Sequence, residues 1–153
     1  MEHRIRAAAL VVSEGKLLLV KSRGPRPDEV GWAPPGGGLE DTESVFQCAI
    51  RETLEETGVS IEPVRIVYLR QFVDTHLGHH NLEVYVLSGP FSGTPTTANL
   101  RGTADEDVNL EARFLSREDM EGLTVYPEIL KGQFWEDLAQ GFPDTRYLGL
   151  DQV

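Results

Sequence analysis

The chain is short of cysteine, of basic residues and of long apolar runs, and each shortage excludes something. One cysteine, Cys48, in 153 residues rules out an internal disulfide, which suits a reducing, cytoplasmic setting. No histidine stands near Cys48 in sequence, so it is expected to pack rather than react. Lys and Arg number 14 against 25 Asp and Glu, a formal net charge of −11. That balance argues against binding a nucleic-acid polymer, whose affinity rests on Lys and Arg neutralising phosphates. It argues equally against docking on an anionic membrane. The longest apolar runs, such as Ala7 to Val12, are too short to span a bilayer. Met1 to Arg6 lacks the apolar core of a signal peptide.

What remains is ordinary for a globular protein, 40% hydrophobic and 25% charged residues, in a length that suits one domain over 1–153, and the mix of strands and helices in its pattern makes that domain α/β. The apolar runs Ile5–Val12 and Lys16–Val20, parted by the turn signal Ser13-Glu14-Gly15, predict a hairpin. Ser22 to Gly31, with two prolines and two glycines, predicts a loop. Trp32 to Pro35 then leads into a triple glycine, Gly36 to Gly38, and Leu39-Glu40 is expected as a short strand. A helix follows, capped by Asp41 or Thr42 with Glu43 in its first turn, and stopped by Gly58. Its expected core face is Val45, Phe46, Ala49, Ile50, Thr53 and Leu54, with the glutamates largely opposite. Further strands are predicted over Val64–Phe72, Leu82–Leu87 and Leu110–Leu115. Gly89 to Asn109 reads as a long loop, Ser116–Met120 as a short helical stretch, and Glu128–Ala139 as a last helix opened by Pro127.

The chemistry concentrates on Glu52, Glu55 and Glu56. A helix turns about 100° per residue, so the three project within an arc of about 100°. Like charges at helical spacing repel, and the arrangement makes sense with a cation over it. Hard divalent ions such as magnesium take oxygen ligands and bridge carboxylates to substrate phosphates. The triple glycine before the helix suits a close approach of backbone to metal or phosphate. Gly36 and Gly38 are therefore candidate substrate-binding positions. Trp32 and Phe114 are candidates for stacking on a base, against the commoner role of an aromatic in the core. His76, His79 and His80 fall in a polar connection and read as surface histidines, since nitrogen ligands suit zinc better than magnesium.

Gly37 to Val59 resembles the Nudix box, G-x5-E-x7-R-E-U-x-E-E-x-G-U with U apolar. Gly37 and Glu43 are followed by Arg51-Glu52-Thr53-Leu54-Glu55-Glu56-Thr57-Gly58-Val59, and every fixed position matches. Thr53 at one U position is the departure. The resemblance implies the Nudix fold, an α/β/α sandwich around a mixed sheet. It also implies hydrolysis of a pyrophosphate in a nucleoside diphosphate derivative: ADP-ribose or a nucleotide sugar, a nucleoside triphosphate, or a dinucleoside polyphosphate. By position, Glu52, Glu55 and Glu56 would be the ligands for Mg2+, with Mn2+ as a substitute, and the Gly37 carbonyl a further ligand. Arg51 and Glu43 would be an inner ion pair. The general base could be Glu52, or Glu106 or Asp107 from the Asp105-Glu106-Asp107 loop. The sequence features that distinguish substrate subgroups are absent, so the substrate stays open. Homodimers are common in the family. A Nudix-like module that senses a nucleotide without catalysis is the alternative, disfavoured by the complete set of box glutamates.

Overall fold

The computed structural model describes residues 1–24 and 26–152. Pro25, within the expected 22–31 loop, and Val153 lie outside the described residues. Strand β1 (Glu2–Leu10) is the second strand from one edge of a mixed five-stranded sheet. On one side of it is the short antiparallel β5 (Gly36–Gly38), and on the other, in parallel, β7 (His79–Ser92). β6 (Ser60–Asp74) pairs antiparallel with β7, and β9 (Arg146–Gln152) closes the far edge parallel to β6. A second, antiparallel sheet is centred on β3 (Lys16–Arg23), which pairs with β2 (Val12–Ser13), β4 (Val30–Ala33) and β8 (Asn109–Leu115).

Period-two alternation in β1 divides the core. Ala7, Ala9 and Val11 point to helix α1 (Val45–Thr57), where they meet Cys48, Ala49, Val84 and Val86. Ala8 and Leu10 point the other way, to Tyr68, Tyr85, Leu130, Phe134 and Phe142. The second cluster is roofed by a 3-10 helix (Glu128–Lys131) and by α2 (Gln133–Ala139). Helices thus cover both faces of a mixed sheet, the expected α/β/α sandwich.

Several boundaries differ from expectation, each for a local reason. α1 starts at Val45, not after Asp41 or Thr42. Ser44 and Gln47 form a reciprocal capping box: the Gln47 amide donates to Ser44 Oγ at 3.1 Å and the Ser44 amide to Gln47 Oε1 at 2.8 Å. Glu43 therefore precedes the helix. Gly58 ends it as expected, in the left-handed region at φ 73°, with its amide on the Leu54 carbonyl. The strand at the glycines is Gly36–Gly38 itself rather than Leu39-Glu40. β6 and β7 run well past their expected ends, so His79 and His80 lie in β7 rather than in the connection. β4 takes the end of the expected 22–31 loop, and β7 the start of the expected 89–109 loop. Ser116–Met120 forms turns, not a helix. The last helix is broken at Gly132, whose backbone (φ −139°, ψ −103°) leaves the helical region. β9 had no counterpart in the sequence reading.

Asp137 fixes α2 to the sheet. Its carboxylate, 2% exposed as a residue, accepts from the Tyr68 hydroxyl (2.7 Å), from Arg146 Nε (2.9 Å) and Nη2 (2.8 Å), and from Gln133 Nε2 (3.1 Å). The Arg146 guanidinium, above all, holds the Asp137 carboxyl down at about 2. A carboxyl depressed in the folded state stabilises above its unfolded value and loses that contribution as pH falls through the folded one. Urea unfolding is therefore expected to show stability falling between about pH 4 and pH 2. Asp137→Ala should flatten that limb. It should also cost about 1–3 kcal/mol at neutral pH, because the buried Tyr68 hydroxyl loses its acceptor.

Candidate active site

α1 meets the sheet edge at β5, and the three glycines make that approach possible. A methyl group at Gly37 would collide with the Glu52 carboxylate, and one at Gly36 with the backbone and side chain of β1. The glutamates on the last turns of α1 thus differ: Glu52 and Glu56 are pressed against a strand with no side chains, and Glu55 is exposed. They are not all on the solvent side. Glu56 is 9% exposed and shares the buried face with Cys48, Ala49, Thr53 and Thr57, whereas Ile50 and Leu54, expected in the core, are 38% and 42% exposed. The helix is rotated so that Glu52 and Glu56, rather than two of its aliphatic residues, face inward.

Arg51 organises the cluster. Its Nε and Nη2 bind Glu43 in a fork at 3.1 and 2.6 Å, and Nη2 also donates to the Gly38 carbonyl at 3.2 Å. Its Nη1 donates to Glu52 at 2.8 Å and to Glu55 at 3.4 Å. The Arg51 hydrogen bond holds the Glu43 carboxyl at about 2, and Glu43 in turn raises Arg51. The inner ion pair implied by the resemblance is thus formed, as a fork that joins the pre-helix turn, the glycine strand and α1.

Glu56 is held from the other side. It accepts from the Gly36 amide at 2.7 Å and from Asn109 Nδ2 at 3.0 Å, while Ser22 donates to Asn109 Oδ1 at 2.7 Å. Burial pushes the Glu56 carboxyl up to about 8, and the charges of Glu52 and Asp105 add to the rise. Burial also raises Glu52, against the lowering by Arg51 and, further off, Arg6. Arg6, on β1 opposite Gly38, is bonded through Nε to Glu83 at 2.9 Å, and Tyr85 donates to the other oxygen of Glu83. Sequence reasoning missed Asn109, Arg6 and Glu83. Arg6 and Glu83 did leave a signal, since each is a charged residue at an inward position of an alternating strand.

Other expected residues are placed as follows. Trp32 is 6% exposed within the core, with Lys21 Nζ 5.9 Å from its ring centre. Phe114 packs on the α1 side of the core against Phe91. Glu106 is exposed and accepts from the Gly102 amide at 3.0 Å, capping its own loop, while the Asp107 carbonyl accepts from Arg23. The charge of Asp105, in the same loop, adds to the rise of Glu56. His76 is exposed, His79 contacts Arg4, and His80 contacts Gln71. Among the described residues no three His, Cys, Asp or Glu side chains form a ready coordination shell, because Arg51 and the Gly36–Asn109 pair engage the carboxylates. The donor set nonetheless fits a hard divalent ion: three carboxylates crowded at one helix end, two of them raised by burial and mutual repulsion.

The family model described as NUDIX domain matches residues 2–138. The chain belongs to the NUDIX family. Phosphatase NudJ of Escherichia coli strain K12 is 33% identical over 69 residues; that stretch is 45% of this chain and 44% of NudJ, so less than half of the relative is spanned. The fold is shared with a MutT NUDIX hydrolase from Burkholderia pseudomallei (TM-score 0.69, 23% identity, 86% of this chain and 96% of that one). It is shared also with the E. coli ORF135 protein (TM-score 0.69, 23% identity, 94% and 95%). An ADP-ribose pyrophosphatase from Streptococcus suis is more distant (TM-score 0.57, 19% identity, 97% and 98%). No helix among the described residues of this NUDIX protein is long and apolar enough to cross a membrane.

The raised Glu56 carboxyl has a measurable consequence. A carboxyl that holds its proton more tightly when folded stabilises at low pH, and that contribution is lost as pH rises through the folded value. Metal-free protein is therefore expected to lose stability between the ordinary carboxyl value of 4.5 and about 8. Glu56→Gln, which mimics the neutral form, should lose less over the same range. Chemical denaturation of both proteins in a chelating buffer across that window measures the difference.

Proposed function

We propose that this protein is a Nudix pyrophosphohydrolase that splits the pyrophosphate linkage of a nucleoside diphosphate derivative with water. The single observation behind this reading is the set Glu52 and Glu56 packed against the bare Gly36–Gly38 strand and Glu55 beside them on Arg51, with Arg51 and Glu43 locking strand and helix together. The similar proteins, among them a phosphatase and an ADP-ribose pyrophosphatase, lend support.

Glu52, Glu55, Glu56 and the Gly37 carbonyl would hold Mg2+, or Mn2+ in its place. Bound there, the ion would neutralise phosphate oxygens and lower the pKa of a water. The chain itself supplies the rest. Arg51 keeps Glu52 and Glu55 oriented, and the amide of Gly36 with Asn109 orients Glu56. Gly36 and Gly38 would offer a phosphate their backbone only, since the space beside them is taken by β1 and by the Arg4 guanidinium. The general base is Glu52 or an acid of the 105–107 loop. Glu106 reaches that role only by releasing the Gly102 amide, whereas Asp105 already acts on Glu56.

The reading extends to a homodimer. Ile5, Leu82 and Tyr147 are exposed, and Ile5 and Leu82 are register partners on the part of the sheet beyond α1. Light scattering at micromolar concentration tests it, and a monomer mass would reject the dimer.

Glu55→Gln and Glu56→Gln are each expected to lower kcat/KM by more than about 100-fold, beyond the 10–100-fold typical of losing a group outside the ligand set. Unchanged circular dichroism would show the fold kept. Near-normal turnover by either variant, on a panel of nucleotides with Mg2+ or Mn2+, would reject the assignment. A wild type that binds nucleotides but releases no product would favour the sensing module instead.

A further inference from the structure

β3 and β8 pair in regular antiparallel register from Leu17 and Leu115 as far as Lys21 and Glu111, and there the register slips. Ser22 stands opposite Asn109, not Leu110, so β8 carries one extra residue at a β-bulge. Side chains alternate along a strand, and Phe114 packs on the α1 side. An unbroken β8 would therefore turn Leu110 toward α1. The bulge gives that place to Asn109, which is buried.

An apolar residue there would leave Glu56 with the Gly36 amide alone. What arrives is a carboxamide with both ends engaged. As a carboxylate Glu56 only accepts, so it takes Nδ2 of Asn109 at 3.0 Å, and Ser22 donates to the amide oxygen at 2.7 Å. The two oxygens of Glu56 then have one fixed donor each: the Gly36 amide on Oε1 and Asn109 on Oε2. Two donors set the plane of the carboxylate in advance, and each oxygen keeps a lone pair for an ion.

The backbone of Asn109 is held as firmly. Its amide donates to the Asp105 carbonyl at 2.9 Å. Arg23, next to Ser22, donates from its own amide to the Val108 carbonyl at 2.9 Å and from Nε to the Asp107 carbonyl at 3.1 Å. The end of β3 thus fixes the bulge and the acidic loop that leads into it. Bulges beside active sites commonly re-aim a side chain, and the side chain re-aimed here reaches a candidate metal ligand.

We propose that Asn109 is a positioning residue that the bulge presents to Glu56, and that Ser22 acts through it, so that the β3–β8 pair sets how tightly the end of α1 holds a divalent ion. The assignment rests on the metal-dependent hydrolytic reading above. It extends that reading from three glutamates on one helix to a strand pair in the other sheet.

Electron paramagnetic resonance of free Mn2+ gives the dissociation constant of the nucleotide-free protein and tests the assignment. Asn109→Leu, the side chain type a regular strand would present, is expected to weaken Mn2+ binding by about 10–100-fold. Ser22→Ala should weaken it several-fold, and Ser22→Thr, which keeps the hydroxyl, should restore most of that loss. The doubly substituted protein, Asn109→Leu with Ser22→Ala, should bind no more weakly than Asn109→Leu alone, because Ser22 acts through Asn109. Saturating Mn2+ should return the kcat of Asn109→Leu to within several-fold of wild type. A purely structural role would lower the unfolding midpoint and leave the dissociation constant of the folded protein unchanged, and that result overturns the assignment. If Asn109→Leu does not fold, Ser22→Ala against Ser22→Thr decides: equal dissociation constants overturn the assignment and a clear separation supports it. Glu56→Gln separates the two readings. If it binds Mn2+ as tightly as wild type, the ion lies elsewhere and the metal reading fails, taking the positioning role with it. If it loses the ion while Asn109→Leu keeps it, only the positioning role is rejected.

Discussion

One guanidinium holds the site together. Arg51 joins three pieces of chain: the turn carrying Glu43, the glycine strand through the Gly38 carbonyl, and the helix through Glu52 and Glu55. A planar fork with five donors can do this where a lysine ammonium cannot. The cluster it organises is otherwise self-repelling. Arg51 supplies one positive charge to several carboxylates, which leaves the helix end short of cations and suited to take up more.

The glycine strand is the steric counterpart of that electrostatic arrangement. Backbone pairing with β1 satisfies β5 on one edge, and the absence of side chains lets carboxylates close in on the other. Glu56 then enters a place where carboxylates seldom go, nearly buried with only an amide and an asparagine as donors. Burial of charge is unfavourable without compensation. The raised Glu56 carboxyl is the form this cost takes in the metal-free protein.

Much of this was legible in the sequence, and the reasons differ by element. The run from Gly37 to Val59 carried the helix and its glycine stop in its own pattern, whereas the Arg51–Glu43 pair came from the resemblance, since Glu43 precedes the helix and helical spacing does not make it a neighbour of Arg51. The rotation of α1 was not legible: an apolar wheel favours Ile50 and Leu54 inside, and only the bare strand opposite makes Glu56 the inward residue. The cap was misplaced because Asp41, Thr42 and Ser44 are all competent, and the Gln47 side chain selects Ser44. β9 was invisible because Tyr147-Leu148-Gly149-Leu150 is short and interrupted by glycine, and its strand form depends on the edge of β6. Asn109 reaches Glu56 only through pairing of β3 with β8, a contact far apart in sequence that no local pattern encodes.

The lone thiol has a practical side. Cys48 is fully enclosed between α1 and the glycine strand, and burial lifts it to about 12, so almost none of it is thiolate at neutral pH. Alkylating and maleimide reagents should pass it by. A cysteine introduced on the outer surface would then be the one position that takes a fluorophore or spin label. The native sequence is thus ready for site-directed labelling without first being stripped of its own sulfhydryl.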